Sequence, residues 1–260
     1  MRDLFRVMGL WAAVVLLSAC ETDKDKPQIE RPLDSLYGTA FSMLQEKKYE
    51  DSADEFLELE RQHPYSPWAA KAQLMAAYAL YQDQRFDRAI GVLDNFILLH
   101  PYHEQVSYAY YLRALCYYDD IPGVAKDPKV AEMALSALEE LLNRFPDSKY
   151  NRDAQFKRDY VAGHLAGHAM SIGRFYEKQQ NYLAAFLRFQ SVVRVHPRSV
   201  QIPEALHRLV ECSLALGLRD EAKHAGSVLG HSYPESSWYS ETYRLLGDTQ
   251  AGGEKLLKKQ

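Results

Sequence analysis

Apolar residues recur at steps of three and four through most of this chain, and short polar turns interrupt them at near-regular intervals. The clearest stretch runs from Ile172 to Ser199. There Ile-Gly-Arg-Phe-Tyr leads through a polar turn, Gln179-Gln180-Asn181, into Tyr182-Leu-Ala-Ala-Phe-Leu-Arg-Phe, and His196-Pro-Arg-Ser closes the unit. This is the spacing of two amphipathic helices, each hiding one stripe against the other. The closing tetrapeptide returns as His63-Pro-Tyr-Ser, His100-Pro-Tyr-His, Phe145-Pro-Asp-Ser and Tyr233-Pro-Glu-Ser, with prolines 37, 45, 51 and 37 residues apart. Proline has no N–H for the helical ladder and clashes with the preceding turn, so each one marks the end of a second helix. The pattern predicts an all-α chain of five helix pairs.

A period of this size, with small residues set against large ones, is that of the tetratricopeptide repeat. Placing Pro197 at position 32 of its roughly 34-residue template puts Ile172 and Gly173 at 7 and 8, Tyr176 at 11, Ala185 at 20 and Phe189 at 24. Repeat one then has Ala40, Ala53 and Phe56, and repeat two has Ala77, Ala89 and Leu93. Repeat three has Ala114, Ala134 and Leu138 around a loop over 119–128, and repeat five has Leu206, Leu209 and Ala222, with Gly217 closing its first helix. Ala154, Val161, Leu165, Ile172 and Tyr176 step by seven and four, which predicts one long helix over about 151–177 joining two halves. The expected architecture is a right-handed solenoid in which each pair buries its apolar face on its neighbours. Residues 33–150 form its first half and 151–246 its second, ending in a capping helix over 236–246. The polar segment 247–260 is expected to be a disordered tail.

The start of the chain reads as an address. Arg2 and Arg6 precede a short apolar run and then Leu17-Ser18-Ala19-Cys20, which describes a secretory signal over 1–19. The ending resembles the bacterial lipobox, which implies diacylation of Cys20; an ordinary signal peptide with a chance cysteine is the plainer alternative. Acyl chains contribute about 0.8 kcal/mol per buried methylene, enough for stable membrane anchoring. By the same resemblance Glu21 implies export to the outer membrane. Residues 20–32, charged and with two prolines, read as lipid anchor and flexible tether.

A formal net charge of −4, with no basic stripe, excludes a nucleic-acid binder. Cys116 and Cys212 fall in repeats that do not touch in a linear stack, so both read as small buried residues rather than a disulfide. No phosphate loop, nucleophile elbow or zinc-protease motif is present, and the chain is read as non-enzymatic, without cofactor. His164 and His168, one helical turn apart, could chelate a metal, but no third ligand lies nearby in sequence, so no metal site is assigned.

The aromatic residues carry more. Positions 2, 5, 9 and 12 of first helices line the concave face of such stacks. Repeat one places Tyr37 and Phe41 there, repeat two Leu74, Tyr78 and Tyr81, and repeat three Tyr111, Leu115 and Tyr118. Two uses fit them, packing between helices or a ligand-facing wall, and their recurrence in three repeats favours the wall. Chaperone-tail binders carry Lys and Asn where Tyr37 and Phe41 stand, so a wall here suits extended segments rich in apolar and aromatic side chains instead.

Taken in order, several motifs resemble the BamD (ComL) family of outer-membrane lipoproteins. They are the lipobox, His63-Pro-Tyr-Ser-Pro, Tyr108-Ala-Tyr-Tyr-Leu-Arg, Ala184-Ala-Phe-Leu-Arg188 and Tyr233-Pro-Glu-Ser-Ser-Trp-Tyr239. The resemblance implies a lipid-anchored adaptor of the β-barrel assembly machinery that faces the periplasm beside other assembly lipoproteins. Its first three repeats would engage the C-terminal targeting strand of unfolded outer-membrane proteins, which commonly ends in an aromatic residue. Its last repeats would dock on the periplasmic domains of BamA, and Arg188 matches an arginine implicated in that contact. A solvated arginine covering apolar surface with its stem is the alternative for Arg188. A pilotin-like lipoprotein that assists secretin assembly is the alternative for the whole chain. The short repeat-three insertion and His231, where asparagine is common, depart from the family pattern.

Overall fold

The computed structural model describes residues 30–124 and 126–257; the lipidation site expected at Cys20 and the signal segment lie outside them. Eleven α-helices and no strands are present among the described residues. Five pairs follow one another: α1 (Leu33–Gln45) with α2 (Tyr49–Gln62), α3 (Ala69–Gln82) with α4 (Phe86–Leu99), α5 (Val106–Asp119) with α6 (Lys129–Arg144), α7 (Asn151–Lys178) with α8 (Tyr182–Val195), and α9 (Ile202–Ala215) with α10 (Arg219–Ser232). A last helix, α11 (Ser237–Leu257), lies on α9 and α10. Most contacts join consecutive helices, as in a solenoid.

Two turn chemistries make the repeat. Within pairs one, two, four and five the first helix closes on a left-handed residue: Lys47, Gln84, Gln180 and Gly217, with φ of 61°, 59°, 59° and 77°. In pair four the Gln180 N–H donates to Glu177 O at 2.8 Å and the Asn181 N–H to Tyr176 O at 3.0 Å, and the other three pairs repeat both bonds. That is the Schellman closure, which satisfies the last carbonyls of the helix. Gly217 adopts this φ freely, whereas a side chain there costs roughly 1–2 kcal/mol. Between pairs the closing tetrapeptide is a turn and a cap at once. The Ser66 N–H donates to His63 O at 3.0 Å, while Ser66 Oγ accepts from the Trp68 N–H at 3.2 Å. Ser148, Ser199 and Ser236 cap Tyr150, Gln201 and Trp238 in the same way, and His103 Nδ1 does so for Gln105.

The small residues read from the sequence are where helices meet most closely. Ala40, Ala77, Ala114, Ala53, Ala89, Ala134, Ala185 and Ala222 are fully enclosed, and Phe56, Leu93, Leu138 and Phe189 fill the space they leave. Three apolar clusters follow along the stack. The second ends and the third begins on α7, with Ala154, Val161 and Leu165 in one and Ala166 and Met170 in the other. The long helix therefore joins two bodies of packing, and the change falls within it rather than at residue 150. Cys116 and Cys212 are buried free thiols, both pushed up to about 12 by burial.

Two details go beyond the sequence reading. Helix α11 continues through Leu257, past the end at 246 and into the tail expected to be disordered. Residues 247–257 contain no proline, so Gly252 and Gly253 weaken the helix by roughly 1 kcal/mol each without ending it. His164 and His168 also have a task. His164 Nε2 lies 3.1 Å from Pro122 O and His168 Nδ1 lies 2.6 Å from Val124 O, so the two rings pin the repeat-three loop to the long helix.

Of the ring residues before the closing prolines, His196 is half-buried, and burial holds its pKa below the ordinary histidine value. The unfolded chain then takes up that proton first, so the native-state advantage of the neutral ring is complete above about pH 6.5 and is lost as pH falls. His196→Phe, copying Phe145 of repeat three, is expected to hold its melting temperature better than the parent between pH 7.5 and 5.5. Parallel shifts in the two proteins would show that His196 does not titrate on unfolding.

Candidate functional site

Helices α1, α3, α5 and the first half of α7 stand side by side as the inner helices of the first pairs, since α3 touches α5 and α5 touches α7 across the intervening outer helices. All eight groove residues read from the sequence lie on the first three of these helices. Tyr37 stacks on Phe41 at 6.3 Å between ring centroids and meets Trp68 edge-on at 4.9 Å. Phe41 is 40% exposed, while Leu74 is buried at 3%. Leu74 and Tyr78 line a cleft of roughly 400 Å³ with Lys71, Tyr108, Lys149 and Tyr150.

Two of the predicted tyrosines have structural work for their hydroxyls. Tyr81 OH donates to Asp119 at 2.5 Å and Tyr111 OH to Asp153 at 2.6 Å. Burial, and then the neighbouring carboxylate, pushes both phenols well above their ordinary value. Tyr111 also stacks on Tyr150 at 4.6 Å, and Tyr118 meets Tyr160 at 5.8 Å with the Lys157 ammonium 5.3 Å above the Tyr118 ring. Tyr108 packs on Tyr150 at 5.6 Å, and its hydroxyl is pushed up to about 12, chiefly by burial. Aromatic side chains thus recur on all four inner helices.

Sequence reading missed Tyr108, Lys71, Tyr150 and Tyr160. The first two occupy position 2 of repeats three and two, so the rule that found their neighbours also reaches them. Tyr150 caps the long helix and Tyr160 lies on it, and its unusual length hid that its first half serves as an inner helix.

Inner surfaces of the second half differ in kind. Arg174 pairs with Glu204 at 2.9 Å, and Arg208 reaches Glu211 at 2.7 Å and Glu177 at 3.6 Å. Those charges answer one another. Arg188 lies elsewhere, exposed on α8 in a groove of roughly 480 Å³ floored by α6 and α7, with Glu132, Glu139 and His168 among its walls. It has no ion pair among the described residues. Leu183 and Leu187, on the same helix, are 58% and 56% exposed.

A helical-repeat scaffold with an aromatic inner wall and an unpaired outer arginine is the class of protein these features define. The family described as YfiO, outer membrane lipoprotein, matches residues 30–229. The outer membrane protein assembly factor BamD of Caulobacter vibrioides is 42% identical over 243 residues, covering 91% of this chain and 80% of that protein. BamD of Rickettsia prowazekii is 41% identical, covering 91% and 94%. This chain belongs to the BamD family. Among solved structures, the P58(IPK) TPR domain aligns with a TM-score of 0.43 at 16% identity, over 82% of this chain and 55% of that one, too distant to bear on function. Assembly factor, the relatives' description, agrees with the expectation of a non-enzymatic protein. Among the described residues no helix is long and apolar enough to cross a membrane.

Proposed function

We propose that this chain is a non-enzymatic lipoprotein scaffold of the outer-membrane β-barrel assembly complex. It is held to the outer membrane through acylated Cys20 and faces the periplasm beside other assembly lipoproteins. The aromatic wall of α1, α3, α5 and the start of α7 binds targeting segments of unfolded outer-membrane proteins, and the α8 surface around Arg188 docks on the periplasmic domains of BamA. The observation that carries this reading is the wall itself, in a chain of the BamD family. A tyrosine ring offers a large rigid contact area at little cost in side-chain freedom, so successive rings suit a segment with apolar and aromatic side chains on one face. Tyr81 and Tyr111, with their hydroxyls occupied, present ring surface to such a segment and hold the wall in shape.

Depleting the protein from its host is expected to lower the amount of folded barrel protein in the outer membrane, scored by heat-modifiable migration on gels. Normal barrel levels after complete depletion would sink the proposal.

A further inference from the structure

The chain enters the solenoid at one edge and is clamped there. The Arg31 N–H donates to Gln62 Oε1 at 2.8 Å, Arg31 O lies 2.9 Å from His63 Nε2, and the guanidinium grips the Glu55 carboxylate at 2.5 and 2.9 Å. Arg31 is thereby fixed beside the closing turn of pair one. Because the two helices of a pair run antiparallel, every closing tetrapeptide falls on this edge and every turn within a pair on the opposite one. The third residues of the closing turns are Tyr65, Tyr102, Asp147, Arg198 and Glu235. All five turns keep the bond from the fourth residue's N–H to the first residue's carbonyl, between 2.9 and 3.1 Å. Acidic and basic residues therefore serve this place as well as a ring does. Tyr65 and Tyr102 are nonetheless 100% and 99% exposed, and neither side chain has a bonding or stacking partner among the described residues. Leu98 and Leu99, in the last turn of α4 before Tyr102, are exposed beside them.

We infer that this edge of the first two pairs is a membrane contact, with Tyr65 and Tyr102 seated in the headgroup layer of the bilayer that holds Cys20. The inference rests on the reading of Cys20 as acylated. A tyrosine joins an apolar ring to a polar tip, and such side chains gather at membrane–water interfaces for that reason. Two rings and two leucines hold a free protein to lipid only weakly. The eleven residue steps from Cys20 to Arg31, however, reach at most about 40 Å when fully extended. An anchored chain therefore meets the lipid surface again at high effective concentration, and a weak contact becomes an occupied one. The Arg31 clamp sets which part of the solenoid makes that contact, since the tether ends at the turn that carries Tyr65. The aromatic wall and the Arg188 surface lie on the inner and outer faces, so an edge resting on lipid leaves both open to partners.

The full chain, purified from membranes and placed in vesicles of phosphatidylethanolamine and phosphatidylglycerol containing a headgroup-nitroxide lipid, tests this. A fluorescent dye is attached at Tyr65→Cys or Tyr102→Cys; Cys116 and Cys212 are buried and stay unlabelled. Asp83→Cys and Asp220→Cys mark the opposite edge, about 20 Å away along fourteen-residue helices. Dyes at 65 and 102 are expected to lose most of their emission to the nitroxide, and dyes at 83 and 220 to keep theirs. With the dye at Leu98→Cys, changing both tyrosines to serine should restore most of the emission while helical circular dichroism stays the same. Mass spectrometry of the N-terminal peptide from the same sample reads acylation of Cys20. An acylated chain quenched equally at both edges, or at neither, would overturn the membrane contact and leave the anchor standing. Quenching at Leu98→Cys that ignores the serines would overturn the part given to the tyrosines. A chain without acyl groups removes the anchor, and the contact falls with it.

Discussion

Phe189→Ala is expected to destabilise the chain by about 3–5 kcal/mol, the range for emptying a buried aromatic site. Phe189 is fully enclosed, in the cluster that holds α7, α8 and α9 together. Its ring lies directly over Gly173, where an added Cβ would sit 2.8 Å from Phe189 Cδ1 and Cζ. Gly173→Ala gains roughly 1 kcal/mol of helix propensity but drives a methyl into that ring, a conflict that costs typically 1–3 kcal/mol. The net effect is therefore loss. Because the clash and the cavity occupy the same space, Gly173→Ala with Phe189→Leu should lose less than the two single changes summed, by more than about 0.5 kcal/mol. Urea unfolding and hydrogen exchange on α8 and α9 measure this, since a solenoid can open from one end. Strict additivity would mean that the glycine is present for some reason other than the ring.

That pair also shows what was legible in the chain and why. Positions 8 and 24 of a repeat carry an interlock of small against large, and such an interlock leaves residue types as its trace: Ala40, Ala77, Ala114 and Gly173 on one side, Phe56, Leu93 and Phe189 on the other. The closing tetrapeptides were equally readable, because proline and a capping serine act within four residues. Left-handed residues were less so. Gly217 announces itself, but Lys47, Gln84 and Gln180 adopt the same conformation without the residue that permits it freely, since the packed helices on either side impose it. The run of α11 past Gly252 and Gly253 was hidden for a related reason: glycine lowers helix stability by degree and marks no boundary on its own.

The candidate site was legible where it follows the repeat and obscure where it crosses repeats. Tyr37, Tyr78 and Tyr111 follow from position alone. That Tyr81 donates to Asp119 and Tyr111 to Asp153 depends on pairs 38 and 42 residues apart, which no local pattern encodes. The same holds for His164 and His168. One turn apart, they read as a possible chelate, and their partners turn out to be the carbonyls of a loop 42 and 44 residues away.

Arg188→Glu is expected to weaken binding of the periplasmic domains of BamA by at least about a hundredfold while leaving the stability of the chain within about 0.5 kcal/mol. The two effects separate because Arg188 is exposed and has no ion pair to lose on folding. It lines a groove whose walls include Glu132 and Glu139, so reversal gathers a third carboxylate there as well as removing a donor. The exposed Leu183 and Leu187, one turn apart, would supply the apolar contact that an arginine-centred interface needs. Arg194→Glu on the same helix tests whether any cation would do, and it should leave affinity nearly unchanged. Surface-immobilised BamA periplasmic domains titrated with each variant give the comparison. Equal losses from the two reversals would assign the effect to general charge, and no loss from either would place the docking surface elsewhere on the solenoid.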